Sequence, residues 1–184
     1  MQLGYVQAYV DFFYVTTETT PSEIEPSQQL QEEYKLNKRK KIKFEHTEQS
    51  LKALSDDLMS SEEFNRNGQT EKCLGKLKKV AKDFEEKNDY ETASYFYKKC
   101  LDVSVEDGLI KGEAEAYKGL GTCEKHVLNI FYAMGHLETA LEKATDGNID
   151  SLQKEISRDL VKVYQTIAVQ FQDQNEFDKS LQFF

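Results

Sequence analysis

Proline is nearly absent from this chain. Among its 184 residues only Pro21 and Pro26 occur, both in one short stretch, so no proline interrupts a helix from Ser27 onward. Strand-forming alternation of Val, Ile and Thr is almost missing too, which leaves a β architecture little support. No apolar run reaches membrane-spanning length. Positive charge is in deficit: 24 Lys and Arg stand against 33 Asp and Glu, a net charge of −9. Phosphate neutralisation needs a positive face, so this balance argues against a primary nucleic-acid binder and leaves room only for a local basic patch. Cysteine is scarce. Cys73, Cys100 and Cys123 are odd in number, far apart and without CxxC spacing, which supports neither a zinc site nor a disulfide framework and fits a reducing intracellular compartment. The opening residues have apolar patches without a basic flank or a cleavage pattern, and read as a helix rather than a leader peptide.

What is present is a helix-forming sequence whose 39% hydrophobic content suffices for a domain with a buried core. Residues 1–17 hold Leu3, Tyr5, Val6, Tyr9, Val10, Phe12, Phe13 and Tyr14, a spacing that suits a helix covered on more than one side. Residues 18–69 read as a charged connector with partial helix. Pro21 and Pro26 break it near its start, Leu30, Tyr34, Leu51, Leu54 and Leu58 supply a thin helical stripe, and Asn65, Asn67 and Gly68 mark a turn. From Thr70 the pattern predicts helices over about 70–87 and 90–105. A long helix follows from Leu109 to Met134, stopped by Gly135, then a shorter one over about 136–145, another over 149–174, and a last one starting near Glu176 and still running at Phe184. Turn residues at each join predict short antiparallel connections.

Three short stretches recur within this region: Asn88-Asp89-Tyr90-Glu91-Thr92-Ala93, Gly135-His136-Leu137-Glu138-Thr139-Ala140 and Asn175-Glu176-Phe177-Asp178-Lys179-Ser180. Each opens on a turn former, places an aromatic residue or Leu two positions on, and a small residue three further. Recurrence at roughly 35–47 residues is the mark of a stacked helical repeat. The expected fold is all-α, a right-handed solenoid of antiparallel helix pairs over residues 70–184 with an N-terminal helical extension and an incomplete last repeat. A stack needs a polar capping end, which makes the chain read as the front part of a longer protein.

These residues resemble the tetratricopeptide repeat, in which large apolar residues fill the groove between two helices and small ones let the helices approach. Leu77, Ala81 and Phe84 on a first helix and Ala93 and Tyr97 on a second carry the first copy. Tyr164, Ala168, Phe171 and Phe184 carry the last. Leu120, Gly121 and Ala140 carry the middle one, whose first helix is expected to be about two turns longer, near Cys123 to Ile130. More narrowly, Gly4-Tyr5-Val6-Gln7-Ala8-Tyr9 with Phe12-Phe13, Tyr95-Phe96-Tyr97-Lys98-Lys99-Cys100-Leu101 and Lys111-Gly112-Glu113-Ala114-Glu115-Ala116 are similar to an axonemal branch of that family. That resemblance implies a cilium or flagellum axoneme as location and a non-catalytic accessory role in assembling or docking a single-headed inner-arm dynein. A dynein heavy chain and a MYND-type zinc-finger axonemal protein would be partners, with the microtubule doublet as a further contact. The alternative is a soluble cytoplasmic adaptor that binds a peptide or regulatory protein.

Two groups of cations are candidate partner contacts. Lys38, Arg39, Lys40 and Lys41 form a dense basic run that suits an acidic surface, or else a solvated arm. Lys78, Lys82, Lys118, Lys125, Lys162 and Gln165 are expected on the inner side of the stack, where they could hold an acidic or carboxylate-bearing peptide, or serve as ordinary surface residues. The aromatic stripe Phe84, Tyr90, Tyr95, Phe96, Tyr97 reads as repeat core before it reads as a peptide-stacking surface. His46, His126 and His136 lack metal-ligand spacing, and no organised acid, base or nucleophile is recognisable, so neither a catalytic site nor a cofactor is expected.

Overall fold

The computed structural model describes residues 4–16 and 47–183. Their architecture grows from one local device used repeatedly. Gly68, Asn88, Gly108, Leu128, Asn148 and Asn175 all adopt positive φ, between 51° and 67°, and the first five lie twenty residues apart. At each, the next residue's N–H donates to the carbonyl five residues back, as from Gln69 to Phe64, Asp89 to Phe84, Leu109 to Ser104 and Asn129 to Glu124. The left-handed residue's own N–H donates to the carbonyl three back. This double closure ends a helix by satisfying its orphan carbonyls, and the chain re-enters a helix at once. Glycine and asparagine tolerate the left-handed conformation best, which explains five of the six positions.

The helices are α1 (Val6–Thr16), α2 (Glu48–Arg66), α3 (Thr70–Glu86), α4 (Tyr90–Glu106), α5 (Ile110–His126), α6 (Ile130–Asp146), α7 (Asp150–Asp173) and α8 (Phe177–Ser180), the turns joining each from α2 onward to the next, with a 3-10 turn at Leu181–Phe183. The described residues are all helical or in turns, and each helix from α2 onward packs on the next. The pairs are antiparallel. Thr70, at the start of α3, donates from its hydroxyl to Asp107, just past the end of α4. Gly112 near the start of α5 abuts Ser104 near the end of α4.

Two expectations are corrected by these turns. The long helix of 109–134 does not exist: Val127-Leu128-Asn129 is a turn, with Leu128 at φ 67°. Hydrogen bonds from Val127 to Cys123 and from Asn129 to Glu124 close it. The extra two helical turns lie instead in α7, which has 24 residues where α3, α4, α5 and α6 have 17 each. Accordingly Gly135 stops nothing. It sits exposed within α6, and a Cβ there would meet no atom within 4 Å. Since a helix-interior glycine costs roughly 0.5–1 kcal/mol relative to alanine, Gly135→Ala should stabilise the protein by about that amount. A urea midpoint that falls in this variant would contradict the assignment.

Packing follows the helical stripes. Leu77, Ala81 and Phe84 of α3, Ala93, Phe96 and Tyr97 of α4 and Leu120 of α5 are buried together. Leu137 and Ala140 of α6 and Ile156, Val163 and Ile167 of α7 form a second buried cluster. Gly121 and Ala168 are buried, while Tyr164 and Phe171 are half-buried at the edge of the second cluster. Phe184 lies outside the described residues. With the turns in place, Ala133 of α6 occupies the position of Ala93 in α4, and Ala140 that of Cys100.

Helix α1 packs on α2 and reaches α4. Its anchor is Asp11, 3% exposed, which accepts hydrogen bonds from Tyr95 Oη at 2.8 Å and Gln7 Nε2 at 2.9 Å and pairs with Lys99 Nζ at 2.8 Å. Glu62 of α2 accepts from the Ala8 N–H at 2.8 Å. The rings of Tyr14 and Tyr95 stack at 4.0 Å. A buried carboxylate is tolerated only with such partners. Burial first, then the hydrogen bond to Asp11, pushes the Tyr95 phenol far above its ordinary range.

Candidate interaction surface

The alternate helices α3, α5 and α7 share one face of the stack, and two ion pairs define it. Lys78 of α3 pairs with Glu115 of α5, and Lys118 of α5 pairs with Glu155 of α7. Both pairs span 37 residues, and the second repeats the first forty residues later. The other positions of this face follow at helical spacing of three or four: Lys82 on α3, Thr122 and Lys125 on α5, Arg158 and Lys162 on α7.

The predicted inner residues therefore divide. Lys78 and Lys118 are joined to carboxylates of the next helix of this face. Lys82 is exposed and Lys125 half-buried, and neither forms an ion pair among the described residues. Lys162 stands 3.5 Å from Asp159 on its own helix, and Gln165 is exposed. The basic run Lys38, Arg39, Lys40 and Lys41 lies outside the described residues. Sequence reasoning missed Glu115, Glu155 and Arg158. The signal that could have found the two glutamates is the recurrence of Lys and Glu at equal offsets, 78 and 118, 115 and 155.

Glu155 is a carboxylate surrounded by cations. Its hydrogen bond with Lys118 comes first, and Arg158 and Lys82 act over longer distance; together they hold it below the ordinary glutamate range. Elsewhere, ion pairs join neighbouring helices away from this face: Asp57 of α2 with Lys76 and Lys79 of α3, at 2.6 and 2.7 Å, and Glu113 of α5 with Lys143 of α6 at 2.7 Å. Burial would raise Asp57, yet the hydrogen bonds from the two lysines hold it lowered.

No group of three or more His, Cys, Asp or Glu among the described residues could hold a metal ion. All three cysteines are buried, and burial pushes their thiols up, Cys73 to about 11 and Cys100 and Cys123 to about 12. His126 stacks on Tyr90 at 4.6 Å, and His136 is tilted against Tyr117 at 6.0 Å. Burial first lowers the His136 pKa.

The buried acids set an alkaline limit. The thiols and the phenols of Tyr95, Tyr97 and Tyr164 (the last raised to about 12, by burial first and then Glu138) hold their protons longer in the folded chain than in the unfolded one. A raised pKa leaves stability intact below the unfolded value, 9.0 for a thiol and 10.0 for a phenol, and removes it as pH climbs towards the folded value. Urea midpoints should therefore hold to about pH 9 and decline steeply between about pH 9 and 12. A flat profile across that window would contradict these burials.

The fold and surface define an all-helical stack of successively packed helices with a charged face on α3, α5 and α7. Beyond that architecture, comparison with models of known families finds no match, and comparison with curated proteins finds no relative.

Proposed function

We propose that this chain is a tetratricopeptide-like right-handed solenoid and acts as a non-catalytic scaffold for other proteins. The observation that carries this reading is the forty-residue recurrence of turn, helix pair and ion pair. Stacked units of this kind present extended faces instead of enclosed sites, and such faces bind by shape and charge. The unit is longer than the usual tetratricopeptide repeat of about 34 residues. Here each helix of the first two pairs has 17 residues.

Within that reading, the proposed setting is the axoneme of a cilium or flagellum, as an accessory subunit that assembles or docks an inner-arm dynein alongside a MYND-type zinc-finger protein. Two segments of the resemblance meet in space: the α1 residues around Tyr5–Phe13 sit on the α4 segment Tyr95–Leu101 through Asp11, Tyr95 and Lys99. Cross-linking mass spectrometry on isolated axonemes tests this setting. Cross-links from Lys78, Lys82, Lys125 or the Lys38–Lys43 run to a dynein heavy chain are the expected result. Absence of the protein from axonemes, with recovery in the soluble fraction, would overturn it in favour of a cytoplasmic adaptor.

A further inference from the structure

We infer that the solvent-facing side of α1 is a self-association surface, on which a second copy of this chain lays its own α1 antiparallel about a two-fold axis. Helix α1 is apolar on two opposite sides. On one side Ala8 is buried, and Tyr5, Phe12 and Val15 pack on the first buried cluster. The other side carries Val6, Tyr9 and Val10, which are 70%, 55% and 48% exposed. The Tyr9 ring stacks on Phe13 at 6.3 Å and so carries the stripe one turn further. A helix that is apolar all round belongs in an interior, within one protein or between two. Apolar residues at i, i+3 and i+4 form the narrow seam by which one helix takes another.

Charge selects the occupant. The chain carries a net charge of −9, so two copies repel wherever their acidic surfaces meet. Among the described helices α1 alone exposes no charged side chain, because its single charged residue, Asp11, is buried against Tyr95 and Lys99. Two such faces meet without an unpaired charge to desolvate. The ends of the face then set the orientation. Beside the start of α1 stands Arg66, its side chain 51% exposed, over the Tyr5 ring at 5.4 Å and paired with the more buried Glu62. Beside its end stand Glu91 and Asp89, whose charges, after burial, raise the Tyr14 phenol. A two-fold axis near Tyr9 and Val10 brings the Arg66 end of each copy to the Glu91 end of the other and opposes the two helix dipoles, whereas a parallel pair would set like ends together. A helix of 11 residues is only about 16 Å long, so the seam falls short of a standard interface of about 1,600 Å², and the pair should dissociate in the micromolar range.

Sedimentation equilibrium of the whole chain at about 1–100 μM tests this. The mass should rise with concentration from 21.3 kDa towards twice that value. Val6→Lys and Val10→Lys should each weaken association at least about tenfold, because a lysine on the seam loses water without gaining a partner. Both positions are exposed, so the variants should keep the parent's helical circular dichroism. Tyr132→Lys, at an exposed aromatic residue of α6, should leave the dimer unchanged. Orientation is read by oxidising cysteine variants with oxidised glutathione, since the native cysteines are all buried. Val10→Cys lies next to the axis and should form a covalent dimer. The two copies of Val6→Cys would lie about 10 Å apart, beyond disulfide reach, and should not cross-link. A chain that stays monomeric across this range, a dimer that survives both lysine variants or is lost in Tyr132→Lys, or equal cross-linking by the two cysteine variants overturns the proposal.

Discussion

Replacing Tyr97 by Ala should lower the stability of this protein by about 3–5 kcal/mol, the range for deleting a large buried aromatic side chain. Tyr97 is 4% exposed and touches three consecutive helices. It belongs to α4, its hydroxyl donates to Glu85 Oε2 of α3 at 2.8 Å, and its ring lies against Gly119 of α5. Burial first, then the hydrogen bond to Glu85, pushes its phenol far above the ordinary range. Little can collapse into the space left behind, because α3, α4 and α5 are held apart by their turns and by Phe84, Phe96 and Cys100, all buried around it. Tyr97→Phe separates the two parts of the effect. It keeps the ring and loses one hydrogen bond to a carboxylate, so its cost should be about 1.5–3 kcal/mol. Urea unfolding of both variants checks this at constant m-value. If Tyr97→Ala unfolds with the parent, the junction is not where the stack is held.

How much of this was legible in the sequence depends on whether a residue's type announced its conformation. Asn88, Gly108, Asn148 and Asn175 are residues that favour turns, and the turns lie there. Leu128 is not such a residue. Between two helical stretches its neighbourhood reads as continuous helix, and the exposed Gly135 seven positions on offers a false stop. Only the strict twenty-residue interval from Gly68 to Asn148 reveals the turn, and that interval is a global property no single stretch displays. The shift of the extra turns into α7 follows from the same misreading, since a copy aligned on Gly135 places the surplus before it. On the face shared by α3, α5 and α7 the lysines were legible as a helical stripe, but their partners were not. Glu115 and Glu155 resemble any other solvated glutamate until α5 and α7 are laid beside the helices before them.

The glycines show the same limit, and one of them carries the second large effect. Gly75, Gly119 and Gly135 all lie inside helices, and sequence alone treats them alike. A Cβ on Gly75 or Gly135 would meet nothing within 4 Å, whereas one on Gly119 would lie 2.5 Å from Cδ1 and 2.6 Å from Cζ of Tyr97. Gly119→Ala must therefore displace a buried ring fixed by its hydrogen bond to Glu85, an overpacking cost of about 1–3 kcal/mol. Against it stands the gain of about 0.5–1 kcal/mol from replacing a helix-interior glycine. The clash outweighs that gain, so the net change should be destabilising, while Gly135→Ala stabilises. The two effects are separable by a double-mutant cycle. In a Tyr97→Ala background the ring is gone, the clash with it, and Gly119→Ala should become neutral or stabilising. A coupling of about 1–3 kcal/mol between the two sites is the expected measure of this contact. Equal destabilisation by Gly119→Ala in both backgrounds would mean that the close approach of α4 and α5 is set elsewhere than at this ring.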